Sequence, residues 1–316
     1  APYDAALDGN FSGAKYFADS NYLVYRPPAW FASLRMNSKR VRPVEDDVNG
    51  DNALGRYASD GTIQILRSGK ESENVTGCWN WTRLPGTTLP ATPVLGPEEC
   101  KKRNLRVYNY KQVLRYSFGL PARLLGESDF VHAVAEEKHA AAIYTQNVDG
   151  VRAKKAYFFD ENAVYLLGAA IDSDSPYPVA TTVNVARKNG NVIKGADWGW
   201  HDGIGYKGAR LQIAEGVRSG DWGIVSGGLA KPAPFSAELF SVGVEHGIGV
   251  KGGSYAVAVL PGASPEETAR FELQILANTP SLQAVQFADG TAAAVFHEAG
   301  KLGSFETKEP GVFLIP

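Results

Sequence analysis

The segment CWNWTRLPGTT at residues 78–88 holds a dense group of side chains suited to ligand contact. Trp79, Trp81 and Arg83 alternate along it, so an extended backbone would place all three on one side. An indole can stack on the apolar face of a sugar ring, and an arginine can pair with a sugar carboxylate. Two structural roles fit equally well, because the rings can pack on the core and the guanidinium can donate to backbone carbonyls. The pattern therefore predicts either a platform for an acidic sugar or a packed loop.

A second polar run lies at residues 48–55, where Asn49 precedes Gly50 and where Asp51 and Asn52 stand between Gly50 and Gly55. Their amides and carboxylate can hydrogen-bond to sugar hydroxyls or to a carboxylate group. Asn-Gly and Asp-Asn pairs also form tight turns readily, so a purely structural turn is the alternative interpretation.

No residue set typical of nucleophilic catalysis is recognisable. His201 and Asp202 suggest a base and its orienting acid, but adjacent residues of a strand point to opposite faces. The chain contains neither a P-loop nor a GxGxxG motif. We therefore assign no catalytic residue from these patterns.

The composition is that of a folded protein, with 44% hydrophobic and 21% charged residues. Lys+Arg 32 against Asp+Glu 34 gives a net charge of −2, which argues against a general nucleic-acid binder but permits a local basic cleft. No apolar run approaches the roughly 18 residues that would span a membrane. We expect neither a nucleic acid nor a membrane as partner.

The two cysteines, Cys78 and Cys100, bracket a stretch rich in Pro, Gly and Thr. A disulfide that closes this loop would stabilise the fold by about 3 kcal/mol. Two unrelated free thiols are the alternative. A metal site is not expected from two cysteines without a nearby CxxC or HxxxH.

Short β-rich runs bounded by Pro, Gly, Asn or Asp dominate the chain, with turn signals such as Asp202-Gly203 and Ser219-Gly220-Asp221. The runs at 156–159 and 163–167 predict a hairpin. A short helix is predicted at Ser264–Ala269, with a capping serine and Pro265 at its first turn. Many strands with one short helix predict an all-β fold, a large antiparallel sandwich. We place the main β domain at residues 1–262, followed at 263–316 by a connector and the start of a small second β domain.

Several segments, in this order, resemble polysaccharide lyase family 8, the hyaluronate, chondroitin AC and xanthan lyases. The most specific is WNWTRLPGTT at 79–88, which resembles the family's W-x-R-x-P-G-T-T. The other segments are YRP at 25–27, MNSKR at 36–40, NGDN at 49–52, SDG at 59–61, HDGIGY at 201–206, GDW at 220–222, HG at 246–247, YAVAVLP at 255–261 and LQAV at 282–285. The resemblance covers nearly the whole chain from about residue 15.

The resemblance implies a β-supersandwich of the galactose mutarotase-like kind, followed by a partial C-terminal β domain. It also implies β-elimination of acidic glycans, in which a uronate carboxylate is neutralised and the C5 proton is removed. The family places the Asn, His, Tyr and Arg for this reaction on an N-terminal helical toroid, for which this chain has no matching positions. A helical catalytic domain or chain is therefore an expected partner, together with an acidic polysaccharide.

The resemblance carries over the β-domain side of the cleft. Asn49, Asp51 and Asn52 match its N-G-E-N signature, with aspartate in place of glutamate at 51, and Trp79, Trp81 and Arg83 match the tryptophan segment. Two other functions stay open, a non-catalytic carbohydrate-binding module and a mutarotase-like epimerase. We expect a secreted or periplasmic protein without a cofactor, although Glu45, Asp46 and Asp47 could hold a structural Ca²⁺ as an alternative to a solvated acidic loop.

Overall fold

The structure is a computed structural model, and it describes residues 12–43, 54–93, 116–117, 120–121, 123, 125–225 and 233–316. Within these residues the early strands are β1 (Gly13–Phe17), β2 (Tyr22–Arg26), β3 (Phe31–Met36), β4 (Asp60–Leu66), β5 (Thr88–Pro90), β6 (Tyr116–Ser117), β7 (Leu120–Pro121), β8 (Val131–Ala135), β9 (Ala140–Val148), β10 (Val151–Phe159), β11 (Val164–Ser173) and β12 (Val179–Arg187).

The later strands are β13 (Val192–Lys194), β14 (Trp198–His201), β15 (Ile204–Gly208), β16 (Gln212–Asp221), β17 (Pro234–Gly247), β18 (Gly253–Pro261), β19 (Ile275–Asn278), β20 (Leu282–Gln286), β21 (Ala292–Phe296), β22 (Gly300–Leu302), β23 (Phe305–Thr307) and β24 (Gly311–Ile315). The helices are α1 (Trp222–Val225) and α2 (Pro265–Arg270), with 3-10 turns at Ala18–Ser20, Gly55–Tyr57 and Thr76–Cys78.

A long antiparallel sheet in the order β13-β14-β15-β18-β11-β10-β9-β8 forms the middle layer. Tight turns fix its register. Asp149 and Gly150, both at positive φ, join β9 to β10 as a two-residue hairpin loop. The predicted hairpin is confirmed as β10 and β11, and the Asp160 carboxylate accepts hydrogen bonds from the amides of Asn162 and Ala163 in its turn.

Two antiparallel sheets cover one face of this middle sheet. They have the orders β1-β2-β3-β4 and β16-β17-β12-β5, and we call the face that they cover the inner face. The main apolar core lies between these layers and joins Leu34 of β3, Tyr157 of β10 and Phe240 of β17. The predicted large antiparallel sandwich is confirmed.

A smaller sheet in the order β19-β20-β21-β24 packs on the opposite, outer face of the middle sheet. A second core joins Phe158 and Leu167 of the middle sheet to Val285 and Val295 of this C-terminal sheet. The predicted helix before it is confirmed as α2. Ser264 and Glu267 exchange capping hydrogen bonds there, and Pro265 occupies the first turn.

Among the described residues, no helix has the length and apolar character needed to cross a membrane. The same part of the chain holds no group of three or more His, Cys, Asp or Glu side chains that could bind a metal ion.

Candidate functional site

The tryptophan segment is a loop, the second of the two forms predicted for it, so it lacks the extended backbone that would align its side chains. Residues 79–87 form turns after the 3-10 turn that ends at Cys78. The Trp79 and Trp81 rings nevertheless contact each other, with centroids 5.9 Å apart and planes inclined by 54°. The loop folds the rings together by turn geometry instead of strand alternation.

Both indoles are half-buried and pack on an apolar group of Tyr57, Leu84, Leu89 and Val148. Trp79 also packs on the cluster that contains Cys78 and Val185. Neither indole N–H donates a hydrogen bond to a described residue. The packing interpretation therefore accounts for the contacts that the structure gives these rings.

Arg83 has the structural role that the sequence suggests for it, and it also lies at a surface groove. Its Nη1 donates to the carbonyls of Thr82, at 3.2 Å, and Leu89, at 3.0 Å. The same side chain borders a groove on the surface of the β16-β17-β12 sheet. Burial lowers the pKa of its guanidinium and the nearby Glu245 opposes that shift, but an arginine stays charged at neutral pH. The loop thus fixes a cation at the groove wall.

The groove has a volume of about 440 Å³ and lies on the side of its sheet that faces away from the main core. Strand alternation explains most of its lining, because Phe240, Val242 and Val244 of β17 point into the core while the β17 residues between them point outward. Val242 also borders the groove. The lining residues are Asn80, Arg83, Ala180, Thr181, Thr182, Val185, Gln212, Ala214, Glu215, Gly216, Val217, Arg218, Leu239, Ser241, Val242, Gly243 and Glu245.

This lining is amphipathic. Ala214 and Val217 offer apolar surface, and Asn80 and Gln212 offer amides. Arg218 adds a second cation to that of Arg83, and Glu215 and Glu245 place two carboxylates in the same lining. A ligand that presents hydroxyl groups, apolar ring faces and an anionic group matches such a surface. Sequence reasoning identified Arg83 but missed the β16 and β17 residues, which have no motif of their own.

The turn at Leu84–Thr88 joins this groove to the interior. The Gly86 amide donates to the Thr182 carbonyl at 2.7 Å, and the Thr182 amide donates to the Thr87 carbonyl at 2.9 Å. Gly86 has a φ of 83°, and a Cβ there would overlap the Gly61 carbonyl oxygen. Glycine is therefore required in the PGTT sequence by both backbone conformation and close approach.

A layer of polar side chains lies directly inside this turn, on the inner face of the middle sheet. The Lys155 ammonium is fully buried and donates to the Gly86 carbonyl. Thr88 and Thr181 share a hydrogen bond of 2.8 Å, and Thr181 meets the His246 Nε2 at 2.8 Å. Burial, followed by the charges of Arg210, Lys155 and Arg83, lowers the pKa of His246 to about 4, so this imidazole is neutral at pH 7.

Two buried ion pairs flank the layer. Arg123 Nη2 lies 2.9 Å from Asp60 Oδ1, which also accepts hydrogen bonds from Asn37 and from the Tyr144 hydroxyl. The second pair is Arg56 with Asp149.

Arg56 and Asp149 form a two-point ion pair, with distances of 2.8 and 2.6 Å, and Tyr57 adds a hydrogen bond of 2.6 Å to the carboxylate. Burial raises the pKa of Asp149, but the Arg56 hydrogen bonds and charge, with Tyr57 and Arg123, lower it below its usual range. The sequence offered Asp60 as part of SDG, but it gave no signal for Arg123, Arg56 or Lys155.

His201 has a structural environment. Its ring stacks on Phe240 with centroids 4.2 Å apart, and its Nε2 accepts a hydrogen bond from the Asn189 amide. Asp202 binds the Asn189 side chain instead of the imidazole. The two residues do not pair, as strand alternation predicts.

Several predicted residues cannot be placed. Asn49, Asp51 and Asn52, the possible calcium ligands Glu45, Asp46 and Asp47, and Cys100 lie outside the described residues. Cys78 is buried, and its sulfur lies 4.0 Å from the Phe235 carbonyl oxygen. Three features therefore stay predictions: the Cys78–Cys100 disulfide, the calcium site, and ligand contact by the polar run at 49–52.

Two family models match the chain. Polysaccharide lyase family 8, super-sandwich domain, matches residues 12–272, and polysaccharide lyase family 8, C-terminal beta-sandwich domain, matches residues 274–316.

Curated relatives agree with these matches. Chondroitinase-AC of Pedobacter heparinus is 32% identical over 327 residues, which cover 95% of this chain and 44% of that protein. Hyaluronate lyase of Thermasporomyces composti is 26% identical over 95% of this chain and 40% of its own length. The chain thus spans less than half the length of these relatives.

Solved structures give the same result. A chondroitinase AC lyase determined with oligosaccharides superposes with a TM-score of 0.81 at 30% identity, over 97% of this chain and 48% of that one. Streptomyces coelicolor chondroitin AC lyase in complex with chondroitin sulphate gives a TM-score of 0.81 at 26% identity, over 98% of this chain and 41% of that one.

Proposed function

The chain belongs to polysaccharide lyase family 8, and from that membership we propose that it is the β-domain portion of a lyase that cleaves uronic-acid-containing glycans by β-elimination. The observation that carries the proposal is the match of both family domains, in order, over nearly the whole chain. The names of the relatives, chondroitinase AC and hyaluronate lyase, support an acidic polysaccharide as the substrate class.

In this reaction a base removes the C5 proton of the uronate, the C4–O bond breaks, and a C4=C5 double bond forms. The leaving oxygen takes a proton from an acid. We assign the base and the acid to a helical domain or chain that pairs with this one. The location that goes with this function is outside the cytoplasm, because polymeric glycans do not enter a cell intact.

The β portion contributes binding in this proposal. Arg83 and Arg218 supply positive charge to the groove, where a uronate carboxylate can pair with a guanidinium. Asn80 and Gln212 can hydrogen-bond to hydroxyl groups, and Ala214 and Val217 can contact the apolar faces of sugar rings.

Ultraviolet absorbance of the unsaturated uronide tests the proposal. The chain is mixed with chondroitin, hyaluronan or xanthan, first alone and then joined to a family helical domain. We expect product only when the helical domain is present. Product from the chain alone would contradict the assignment of the base and acid elsewhere, and glycan binding without product in either case would indicate a binding module.

A matched pair of variants tests the groove. Arg83→Met should weaken chondroitin binding about tenfold, because a partly buried guanidinium that pairs with a carboxylate is lost. Arg187→Met removes an exposed arginine whose Nη1 lies 3.9 Å from the Glu73 carboxylate, outside the groove lining, and should leave binding unchanged. Equal effects of the two variants would contradict a binding role for the groove.

A further inference from the structure

The fully buried Lys155 is an unusual feature of the inner layer. Its ammonium donates to the Gly86 carbonyl and lies 5.5 Å from the centre of the Tyr157 ring. No described carboxylate forms a salt bridge with it. Desolvation makes a buried ammonium costly, and a methionine of similar length would fill the same space without that cost. Packing alone therefore gives no reason for a lysine at this position.

The position of Lys155 relative to the groove gives such a reason. The Gly86 carbonyl oxygen accepts a hydrogen bond from the Lys155 ammonium, and the Gly86 amide donates to the Thr182 carbonyl. Thr182 in turn lines the groove. Arg83 stands three residues earlier in the same loop. One turn of chain thus lies between the buried charge and the groove wall.

We propose that Lys155 is a positioning residue of the groove: its ammonium holds the Gly86 turn and gives the inner side of that turn a positive charge that favours acidic glycans. This inference rests on the proposed function. A positive charge that water cannot reach is screened weakly, so it acts over longer distances than an exposed lysine does.

The titratable groups that face Lys155 are Asp60 of β4, Tyr144 of β9, Tyr157 of β10, His246 of β17 and Tyr255 of β18. Burial lowers the pKa of Lys155 to about 7, with Asp60 acting in the opposite direction. The pKa of His246 lies well below that of Lys155, so its imidazole is neutral at pH 7. Burial raises the pKa of each of the three tyrosines, which keeps their hydroxyls neutral there as well.

Between pH 6 and pH 9, Lys155 is therefore the group of this layer that changes charge. It is protonated below about pH 7 and neutral above it. An unfolded lysine keeps its proton to about pH 10.4, so the unfolded chain binds more protons than the folded chain between these two values. The destabilisation due to Lys155 is complete below about pH 7 and is lost as the pH rises toward 10.

The test compares Lys155→Met with Lys154→Met, the neighbour on β10 that points to the opposite face and is only half-buried. Binding of a chondroitin hexasaccharide and of a neutral oligosaccharide of equal length is measured at pH 6 and pH 9. We expect the wild-type chain to bind the acidic ligand about tenfold more weakly at pH 9, and Lys154→Met to behave likewise.

Lys155→Met should bind the acidic ligand weakly at both pH values, while its melting temperature at pH 6 rises by about 2–8 °C. If Lys155 had only a structural role, Lys155→Met would have a lower melting temperature and would keep the wild-type pH dependence of binding. Lys155→Gln, which keeps a donor for Gly86 without the charge, provides a second variant should the methionine not fold. It should also lose the pH dependence.

Two outcomes would overturn the inference in distinguishable ways. A wild-type pH profile and affinity in Lys155→Met and Lys155→Gln would contradict the role of Lys155 alone. Failure of the wild-type chain to prefer the acidic hexasaccharide over the neutral one at pH 6 would contradict the proposed function and, with it, this inference.

Discussion

The two faces of the middle sheet carry different residues although the same strands build both. On β10, Lys155 and Tyr157 point to the inner face and contact the turns at Gly86 and Gly61, whereas Ala156 and Phe158 point to the C-terminal sheet. All four side chains are fully buried. The inner face uses buried polar groups to fix loops next to the groove, and the outer face uses apolar burial to hold the C-terminal sheet. The two functions of this sheet should therefore be separable by mutation.

The largest loss of stability is expected for Phe158→Ala on the outer face. Removing this fully buried ring should lower the free energy of unfolding by about 3–5 kcal/mol, measured in urea. Tyr157→Phe, its neighbour on the inner face, loses a hydroxyl that donates to the Gly61 carbonyl at 3.1 Å and should lose only about 1 kcal/mol. Similar losses in the two variants would contradict the difference between the faces.

Asp60→Asn tests the inner face at its buried ion pair. The variant leaves Arg123 without a carboxylate in a buried site, and we expect a loss of about 3 kcal/mol in urea unfolding. Asp129→Asn is the control, because Asp129 and its partner Lys39 are both exposed. That control should change stability by less than about 1 kcal/mol. A small effect of Asp60→Asn would mean that the flanking ion pair does not organise this face.

Gly86→Ala tests the turn between the inner layer and the groove. Gly190 offers a matched control, because it also has positive φ but has no heavy atom near its would-be Cβ. Gly190→Ala should lose about 1 kcal/mol from backbone strain alone. Gly86→Ala adds an overlap with Gly61 and should lose about 2 kcal/mol together with glycan affinity. Equal losses of stability in the two variants, with unchanged glycan binding in Gly86→Ala, would contradict a link between the turn and the groove.

Each side of the middle sheet also has a partly buried histidine whose lowered pKa predicts acid sensitivity. Burial, then nearby positive charges, lowers the pKa of His246 to about 4 and that of His297 to about 3. The unfolded chain takes up these protons near pH 6.5, so stability falls as the pH drops from about 6.5 to the folded value of each group. Thermal unfolding between pH 7 and pH 3 should show less acid destabilisation in His246→Gln and His297→Gln. An unchanged profile would contradict buried neutral imidazoles.

Local patterns were sufficient to predict much of the β architecture. The β10–β11 hairpin, the turn at Asp202–Gly203 and the capped helix after Ser264 follow from alternation, turn chemistry and capping. Ser219-Gly220-Asp221 has turn chemistry too, yet the structure continues β16 through Asp221. Pairing with β17 overrides the local signal there, and Gly220 fits closely against Gly77.

The site was less predictable because its key contacts join distant parts of the chain. Lys154 and Lys155 are identical in type, and the sequence alone does not say which one faces the interior. Arg123 and Asp60 are likewise brought together only by the packing of the layers. A packed loop was one of the two forms predicted for the tryptophan segment, but the contacts of its Gly86 turn with Thr182 and Gly61 have no signal in the sequence.

Hydrogen exchange with and without a chondroitin hexasaccharide tests most directly whether the β16-β17-β12 groove is the glycan side of the molecule. We expect slower amide exchange at residues 80–89, 212–218 and 239–245 on adding the ligand, with no change at residues 282–296 of the C-terminal sheet. Protection confined to the C-terminal sheet, or protection at no segment while the glycan is bound, would contradict it.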